Sequence, residues 1–256
     1  MSSHHPHPHH PRLLVSVRDA AEARAALEGG ADVIDAKEPA SGALGAVAPE
    51  TLAGIVAALP PGTPCSVALG DAATVDDARR AARLLHALDD LPSAAPIAVK
   101  LACHGLADAA TWARVVAALV AELPACHVVA VRYADAGSGD APAASDLLAA
   151  SADGGARGVL VDTRLKDGTG LFDHWDAEGC RRWIDAARER GLSVALAGSL
   201  AGASLARAAT LGPDLVGVRG AAAEGGRAGR VTAGRVREAR LRLVFGPAVP
   251  SPAVVL

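Results

Sequence analysis

The chain is poor in lysine, and this scarcity narrows the roles that its lysines can have. Among 256 residues there are three lysines, Lys37, Lys100 and Lys166, against 22 arginines. Arginine can replace lysine wherever a positive charge is enough, but its guanidinium stays protonated, whereas a buried or crowded lysine amine can lose its proton. Codon bias that left three solvent-exposed lysines would give the same count. Because each lysine falls at or just after a strand-like segment, we favour a chemical role for the amines.

Aromatic residues and long apolar runs are also scarce. Aromatics make up 2% of the chain, and the formal net charge is −3, which argues against a base-stacking platform or a basic surface for nucleic acid. Apolar runs are broken by Gly, Asp or Arg before they reach the roughly 20 residues of a membrane-spanning helix. The N-terminus is polar and His-rich, unlike a signal peptide. We therefore expect no nucleic-acid or membrane partner.

The four cysteines lack the spacing of a redox or zinc motif. Cys65, Cys103, Cys126 and Cys180 form no C-x-x-C pair. Cys65 and Cys103 lie in or beside apolar strand-like runs, where a free cysteine packs as a small hydrophobic residue. This usage predicts a reduced, cytoplasmic protein without structural disulfides.

Both ends of the chain are rich in proline, which distinguishes them from the segment between them. Residues 1–11 hold five of the nine histidines between interleaved prolines, and residues 246–256 are again Pro-rich. The histidines could bind a metal adventitiously, but the prolines are typical of a disordered tail. We expect one domain over residues 12–245 between two tails.

Within residues 12–245, short apolar segments alternate strictly with Ala-rich amphipathic segments. Near-continuous apolar runs are typical of parallel strands buried on both faces. The expected strands are 13–17, 32–36, 65–69, 97–101, 128–132, 158–162, 193–197 and 215–218, and the expected helices are 20–28, 49–59, 75–88, 106–123, 143–152, 177–190, 201–211 and 232–245. Eight βα units in a chain of this length predict a single-domain (β/α)₈ TIM barrel. An open doubly wound sheet is the alternative, but no G-x-G-x-x-G follows the first strand.

Five charged residues cluster at the predicted C-terminal ends of even-numbered strands, where TIM barrels carry their active sites. Asp35 and Lys37 share one strand face because they are two residues apart. Lys100 and Asp162 end strands four and six, so they should face the same lumen, and Lys166 lies in the loop beyond. Like charges disfavour protonation of a lysine, and a neutral lysine among cations is activated for Schiff-base chemistry. The alternative is a structural role, in which Lys–Asp ion pairs close the barrel mouth, and this would require the same residues.

The loops after strands seven and eight suggest a phosphate site. Such loops often bind phosphate in barrels, at a helix N-terminus. Here they contain Gly198, Ser199, Arg219 and Gly220, which offer small residues, backbone N–H groups and one cation. Asp71 and Arg132, at the ends of strands three and five, complete the predicted substrate-binding residues.

Four segments of the chain form a recognisable combination: LLVSVRDAAEARAALEGGADVIDAKEPASGALGA at 13–46, VLVDTRLKDGTGLFD at 159–173, ALAGSL at 195–200 and LVGVRGAA at 215–222. Together they resemble the (5-formylfuran-3-yl)methyl phosphate synthase family of methanofuran biosynthesis. The pattern D-x-K-x-P-x-x-G-x-L-G is the most specific. The Pro/His-rich head and Pro-rich tail depart from the family pattern.

The resemblance implies a lyase that condenses two molecules of glyceraldehyde 3-phosphate, with loss of phosphate and water and without metal or organic cofactor. Lys37 matches the Schiff-base lysine of the family and Lys100 matches its proton acceptor, while Asp35, Asp162 and Lys166 match further polar residues of its site. Two phosphorylated substrates need two anion sites. The loops after strands seven and eight would form one, and Lys166 or Arg132 the other. We also expect the chain to form a homo-oligomer.

Two other functions are compatible with these residues. A class I aldolase or an isomerase of sugar phosphates would share the lysine and the phosphate loops but would release no phosphate. A non-catalytic barrel that binds a phosphorylated metabolite or a partner would tolerate Lys→Arg replacements at both lysines.

Overall fold

The computed structural model describes residues 10–88, 97–137 and 139–246. In these residues eight parallel strands, each bonded to its two neighbours, close into a barrel. The strands are β1 Arg12–Val17, β2 Val33–Ala36, β3 Cys65–Ala72, β4 Ile97–Cys103, β5 His127–Tyr133, β6 Gly158–Asp162, β7 Ser193–Leu196 and β8 Leu215–Val218. The predicted single-domain TIM barrel is therefore confirmed.

Helices follow the strands and cover the outside of the barrel. They are α1 Ala20–Glu28, α2 Pro49–Ala57, α3 Val75–Ala82, α4 Ala109–Glu122, α5 Ala144–Asp153, α6 Leu171–His174, α7 Ala177–Arg188, α8 Gly202–Thr210 and α9 Ala233–Phe245. Side chains at the N-cap fix where several begin: Asp19 accepts from the backbone of α1, and Thr74 forms a reciprocal capping box with Asp77 on α3. Within the described ranges, no helix is long and apolar enough to cross a membrane.

The alternation of side chains along each strand divides the core into two parts. Outward residues such as Val15, Ile34, Val99 and Val161 pack under the helices and are fully buried. Inward residues form a separate, smaller cluster inside the barrel. The large outer cluster thus packs the helices against the strands, and the smaller inner cluster occupies the interior of the barrel.

Some elements differ from the prediction. β3 and β4 extend to Ala72 and Cys103, so that Lys100 lies within its strand and not at its end. The segment 75–88 is divided into α3 and a 3₁₀ helix, Arg83–Leu88. The short α6 and a two-stranded hairpin after β8, formed by β9 Ala223–Glu224 and β10 Arg230–Val231, were not predicted. Most of both predicted tails lies outside the described residues.

The loop between β2 and α2, residues 38–48, folds over part of the C-terminal mouth of the barrel. Its Ala43 and Leu44 are buried in the inner cluster, against Ala68, Val131 and Tyr133 of β3 and β5. The loop therefore closes the mouth on one side and leaves the other side open.

Candidate active site

A cavity of about 790 Å³ runs through the barrel, lined by residues of both mouths. It exists because the inward positions are small: Ala98 on β4, Ala195 on β7 and Gly217 on β8 line it. The lumen of a TIM barrel is ordinarily filled by layers of bulky side chains. At the C-terminal end of this cavity lie the charged residues that the sequence singled out.

Asp35 is the buried anchor of the site. It is fully buried, and its carboxylate forms an ion pair of 2.6 Å with the Nζ of Lys100. The hydroxyls of Ser16 and Ser66, from the strands on either side of β2, donate to its two oxygens at 2.8 and 2.7 Å. Because all of these partners come from different strands, the position of Lys100 is set by the barrel itself.

Lys37 follows β2 directly and points into the same cavity. Its side chain is buried, yet none of the described residues accepts a hydrogen bond or ion pair from its Nζ within bonding distance. Burial lowers the pKa of Lys37 to about 8, assisted by the nearby Lys100 and Lys166 ammonium groups and opposed by Asp162 and Asp35. At pH 7 roughly one molecule in ten then carries a neutral amine at this position, far more than for an ordinary lysine.

A second carboxylate–lysine pair lies across the cavity. The Nζ of Lys166 donates to Asp162 Oδ1 and to Thr163 Oγ1, both at 3.0 Å, and the backbone N–H of Thr163 donates to the same Asp162 oxygen at 2.8 Å. Burial raises the pKa of Asp162, but the Lys166 and Lys37 charges together with these hydrogen bonds outweigh burial and keep the pKa below its usual value. Asp162 is thus an anion that stabilises the cations around it.

The loop after β7 brings strained backbone to the cavity. Ser199 has a φ of 51°, the only positive φ of a residue other than glycine among the described residues, and it is exposed to the cavity with Gly198. Strain of this kind is found mostly at functional sites. The loop leads into α8, whose N-cap, Ala201, has no side chain that could bond the first turn. Backbone N–H groups there are suited to an anion.

Gly220 lies at the corresponding place after β8. It begins the 3₁₀ helix Gly220–Ala222 and lines the cavity with Ala221. Both predicted phosphate loops therefore contribute backbone to the same opening.

Arg219 does not fit its predicted role as a phosphate-binding cation. All five N–H groups of its guanidinium are used: two for the carboxylate of Glu22, and the others for the carbonyl oxygens of Ser16, Arg227 and Gly229. Glu22 is fully buried at the start of α1, and a buried carboxylate needs a cationic partner. Arg219 therefore ties the β8 loop to α1 and has no donor left for a ligand.

Arg132 also does not lie where the sequence predicted, because its side chain does not face the cavity. On β5 it lies between Val131 and Tyr133, which face inward, so its side chain points to the helices. Its guanidinium lies 5.9 Å from the Trp175 ring and donates to the Pro142 carbonyl. The one-residue alternation of a strand excludes it from the lumen.

Asp71 lies at the correct mouth but outside the large cavity. Its carboxylate accepts a hydrogen bond of 2.6 Å from the hydroxyl of Tyr133 in a small separate pocket under the β2–α2 loop. Burial, together with the Asp71 charge, raises the pKa of Tyr133. Asp71 thus fixes a buried tyrosine and does not contact the cavity that holds the lysines.

Sequence reasoning missed four polar residues of the site. Ser16 and Ser66 are short hydroxyl residues that could stand anywhere on a strand, and only the pairing of strands shows that they bond Asp35. Thr163 follows β6 directly and accepts from Lys166, three residues further along the loop. Arg227, in the turn after β8, lines the cavity as well. Its signal in the sequence was weak, two glycines before an arginine.

Comparison with known proteins gives a consistent result. The sequence profile of the 4-HFC-P synthase family matches residues 13–240. A (5-formylfuran-3-yl)methyl phosphate synthase of Methanococcus maripaludis is 35% identical over 231 residues, covering 88% of this chain and 96% of that protein. The enzyme of that name from Methanothermobacter thermautotrophicus is 36% identical over 228 residues, with the same two coverages.

Among solved structures, a phosphoribosyl anthranilate isomerase from Thermus thermophilus superposes with a TM-score of 0.60 at 18% sequence identity. It covers 91% of this chain and 98% of its own. At this identity the likeness concerns the barrel fold alone.

Proposed function

Since this chain belongs to the (5-formylfuran-3-yl)methyl phosphate synthase family, enzymes of methanofuran biosynthesis, we propose that it condenses two molecules of glyceraldehyde 3-phosphate through a Schiff base on Lys37. The observation that carries the proposal is the buried amine of Lys37, with a pKa of about 8 and no acceptor for its proton among the described residues. A neutral amine is the form that attacks a carbonyl.

In the first step the Lys37 amine adds to a triose phosphate carbonyl and releases water as the iminium forms. One triose phosphate can first isomerise to dihydroxyacetone phosphate. The iminium acidifies the neighbouring carbon, and Lys100, whose ion pair with Asp35 holds it in the same cavity, is the proposed acceptor of that proton.

The resulting enamine attacks the aldehyde of the second triose phosphate. Elimination of phosphate, dehydration and ring closure then give the furan, and hydrolysis returns Lys37. The balance of atoms requires one phosphate and two waters for each furan aldehyde that keeps its phosphomethyl group. Asp162 and Lys166 lie where they can stabilise and exchange protons with these intermediates.

The substrates carry two phosphate groups. The backbone of Gly198, Ser199 and Gly220 at the open side of the mouth supports one anion site. Lys166, partly exposed beside Asp162, supports the other. We propose small phosphorylated molecules as the ligands of this cavity.

The test combines borohydride trapping with peptide mass spectrometry. The purified protein is incubated with glyceraldehyde 3-phosphate and reduced, while furan absorbance and phosphate release are followed in an unreduced sample. Because the chain has three lysines, an adduct is assigned without ambiguity. We expect it on Lys37, with furan and phosphate formed together.

Lys37→Arg should keep the fold and the charge but abolish both the adduct and turnover, since a guanidinium forms no imine. Thermal unfolding of the variant serves as the control for folding. A near-normal rate in this variant would refute the Schiff-base assignment. An adduct without furan or phosphate would indicate an aldolase.

A further inference from the structure

The turn between β9 and β10 carries a second arginine, Arg227, whose backbone is held in place by Arg219. The backbone carbonyl of Arg227 accepts a hydrogen bond of 3.2 Å from Arg219 Nε. The turn is possible because Gly225 and Gly226 adopt φ values of 79° and 72°, a region that favours glycine. Arg219, itself held by Glu22, thus places Arg227 at the edge of the open mouth.

The side chain of Arg227 is half-buried and lines the cavity that also contains Lys37, Lys166 and Ser199. Its Nη2 donates to the carbonyl oxygens of Pro39 and Gly42, at 3.2 and 2.7 Å. Among the described residues nothing accepts from its Nε or Nη1. A guanidinium has five donors, so three remain for a ligand.

The two carbonyls belong to the β2–α2 loop, whose first residue follows Lys37 directly. Arg227 therefore connects three parts of the site: the open side of the cavity, the loop that covers its other side, and the start of the segment that carries the reactive amine.

We propose that Arg227, and not Arg219, is the guanidinium that binds a substrate phosphate, and that it does so while holding the β2–α2 loop against the barrel. The inference rests on the proposed function and names the phosphate-binding cation of that same site. A guanidinium suits both tasks because its planar fork can bond a phosphate on one edge and carbonyls on the other.

The charges at this end of the cavity fit a phosphate ester. Four cations, Lys37, Lys100, Lys166 and Arg227, outnumber the three carboxylates that act on them, Asp35, Asp162 and Glu38. The Glu22 carboxylate adds nothing to this balance, because it is already shared by Arg18 and Arg219. Burial lowers the pKa of Arg227, and the Arg219 charge adds to that effect, while Asp162 and Glu38 oppose it. A bound dianion would supply the counter-charge that the four cations together lack.

The first experiment measures binding of glycerol 3-phosphate by calorimetry. This probe has the phosphate of a triose phosphate but no carbonyl, so it binds without forming an imine. Arg227→Ala should weaken its binding at least tenfold. The matched control is Arg230→Ala, an exposed arginine of the same hairpin that does not line the cavity, and its affinity should stay within twofold of the wild type.

The second experiment follows hydrogen exchange of the amides in residues 38–46. In the wild-type protein, glycerol 3-phosphate should slow their exchange, and in Arg227→Ala it should not. Arg227→Lys keeps the charge but has its three donors on one compact ammonium, which cannot span carbonyls on one side and a phosphate on the other as the planar fork does. It should therefore recover part of the affinity without recovering the protection of the loop.

Wild-type affinity in Arg227→Ala would overturn the proposal, as would full loop protection in that variant. If Arg227→Ala fails to fold, Arg227→Lys decides: unchanged affinity together with unchanged protection contradicts the proposal. Failure of the proposed function has a different signature, because glycerol 3-phosphate would still bind through Arg227 while glyceraldehyde 3-phosphate left no adduct on Lys37.

Discussion

The lysines of the site differ in their environments far more than in their positions along the chain. Lys100 and Lys166 each have a carboxylate within 3.0 Å, whereas Lys37 is buried beside them and has no bonded partner in the part of the chain that the structure describes. Burial favours the neutral amine and the two neighbouring cations add to this effect, so that the pKa of Lys37 falls to about 8. The carboxylates of Asp162 and Asp35 oppose this fall, and burial together with the two cations outweighs them.

This environment predicts a definite pH dependence of imine formation. Below pH 8 Lys37 is an ammonium and above it an amine, so the initial rate of borohydride-trapped adduct on Lys37 should rise with pH and level off above about 8. The rate is measured at short times by peptide mass spectrometry. Lys37→Arg, sampled at every pH, corrects for adducts elsewhere. A midpoint near the ordinary lysine value of 10.5 would contradict the burial argument.

The same group affects stability in a known direction. Its folded pKa lies below its unfolded value, so between pH 8 and 10.5 the folded chain binds fewer protons than the unfolded chain. The contribution of Lys37 to the free energy of unfolding therefore rises with pH across this window, and below pH 8 the buried ammonium destabilises the fold in full.

At the scale of elements, the β2–α2 loop shapes the mouth of the barrel. It buries Ala43 and Leu44 and receives two hydrogen bonds from Arg227. Its return toward α2 depends on Gly45, where an added Cβ would lie 2.3 Å from the Glu38 carbonyl oxygen and 2.6 Å from Ser41 Cβ. Only a residue without a side chain allows this close approach of the loop to itself.

Two glycine substitutions should therefore have opposite effects. Gly45→Ala should destabilise the protein by about 1–3 kcal/mol, because backbone must move to relieve the clash. Gly54→Ala, on the exposed face of α2 with nothing within 4 Å of the new Cβ, should stabilise it by about 0.5–1 kcal/mol. Urea unfolding measures both. Equal stability of the two variants would show that the loop is not tightly held.

At the scale of the whole molecule, the barrel is well packed outside its strands and hollow within them. Outward residues such as Ala130 are fully buried under the helices, whereas inward residues such as Ala98 and Val129 remain partly exposed to the cavity. The helices and the outer shell therefore supply most of the stability. The lumen is left open for substrates of more than a few atoms.

A pair of alanine replacements tests this division. Ala98→Val adds methyl groups where the cavity has room and should raise the free energy of unfolding by about 0.5–2 kcal/mol. Ala130→Val adds the same groups to the filled shell and should lower it by about 1–3 kcal/mol. Thermal or urea unfolding distinguishes the two. A destabilising Ala98→Val would mean that the lumen is not open at this level.

Much of this protein follows from local features of its sequence. Apolar runs buried on both faces, alternating with amphipathic segments, specify the barrel because strand and helix periodicities are read over a few residues. The scarcity of lysine singled out Lys37, Lys100 and Lys166, and the alternation of strand residues placed Asp35 beside Lys37, all of which the structure brings to one cavity.

Only the tertiary structure decided which arginine keeps free donors at the cavity. The sequence predicted Arg132 and Arg219 as substrate-binding residues, yet the first points outward and the second is fully bonded to Glu22 and to backbone carbonyls. Arg227 lines the cavity and has bonded partners on one of its nitrogens among the described residues. The same is true of Ser16 and Ser66, which bond Asp35 from neighbouring strands. These assignments depend on partners that are distant along the chain. The register of the closed strands determines which hydroxyls meet Asp35. The burial of the Glu22 carboxylate determines which arginine is engaged, and so which arginine keeps donors for a substrate.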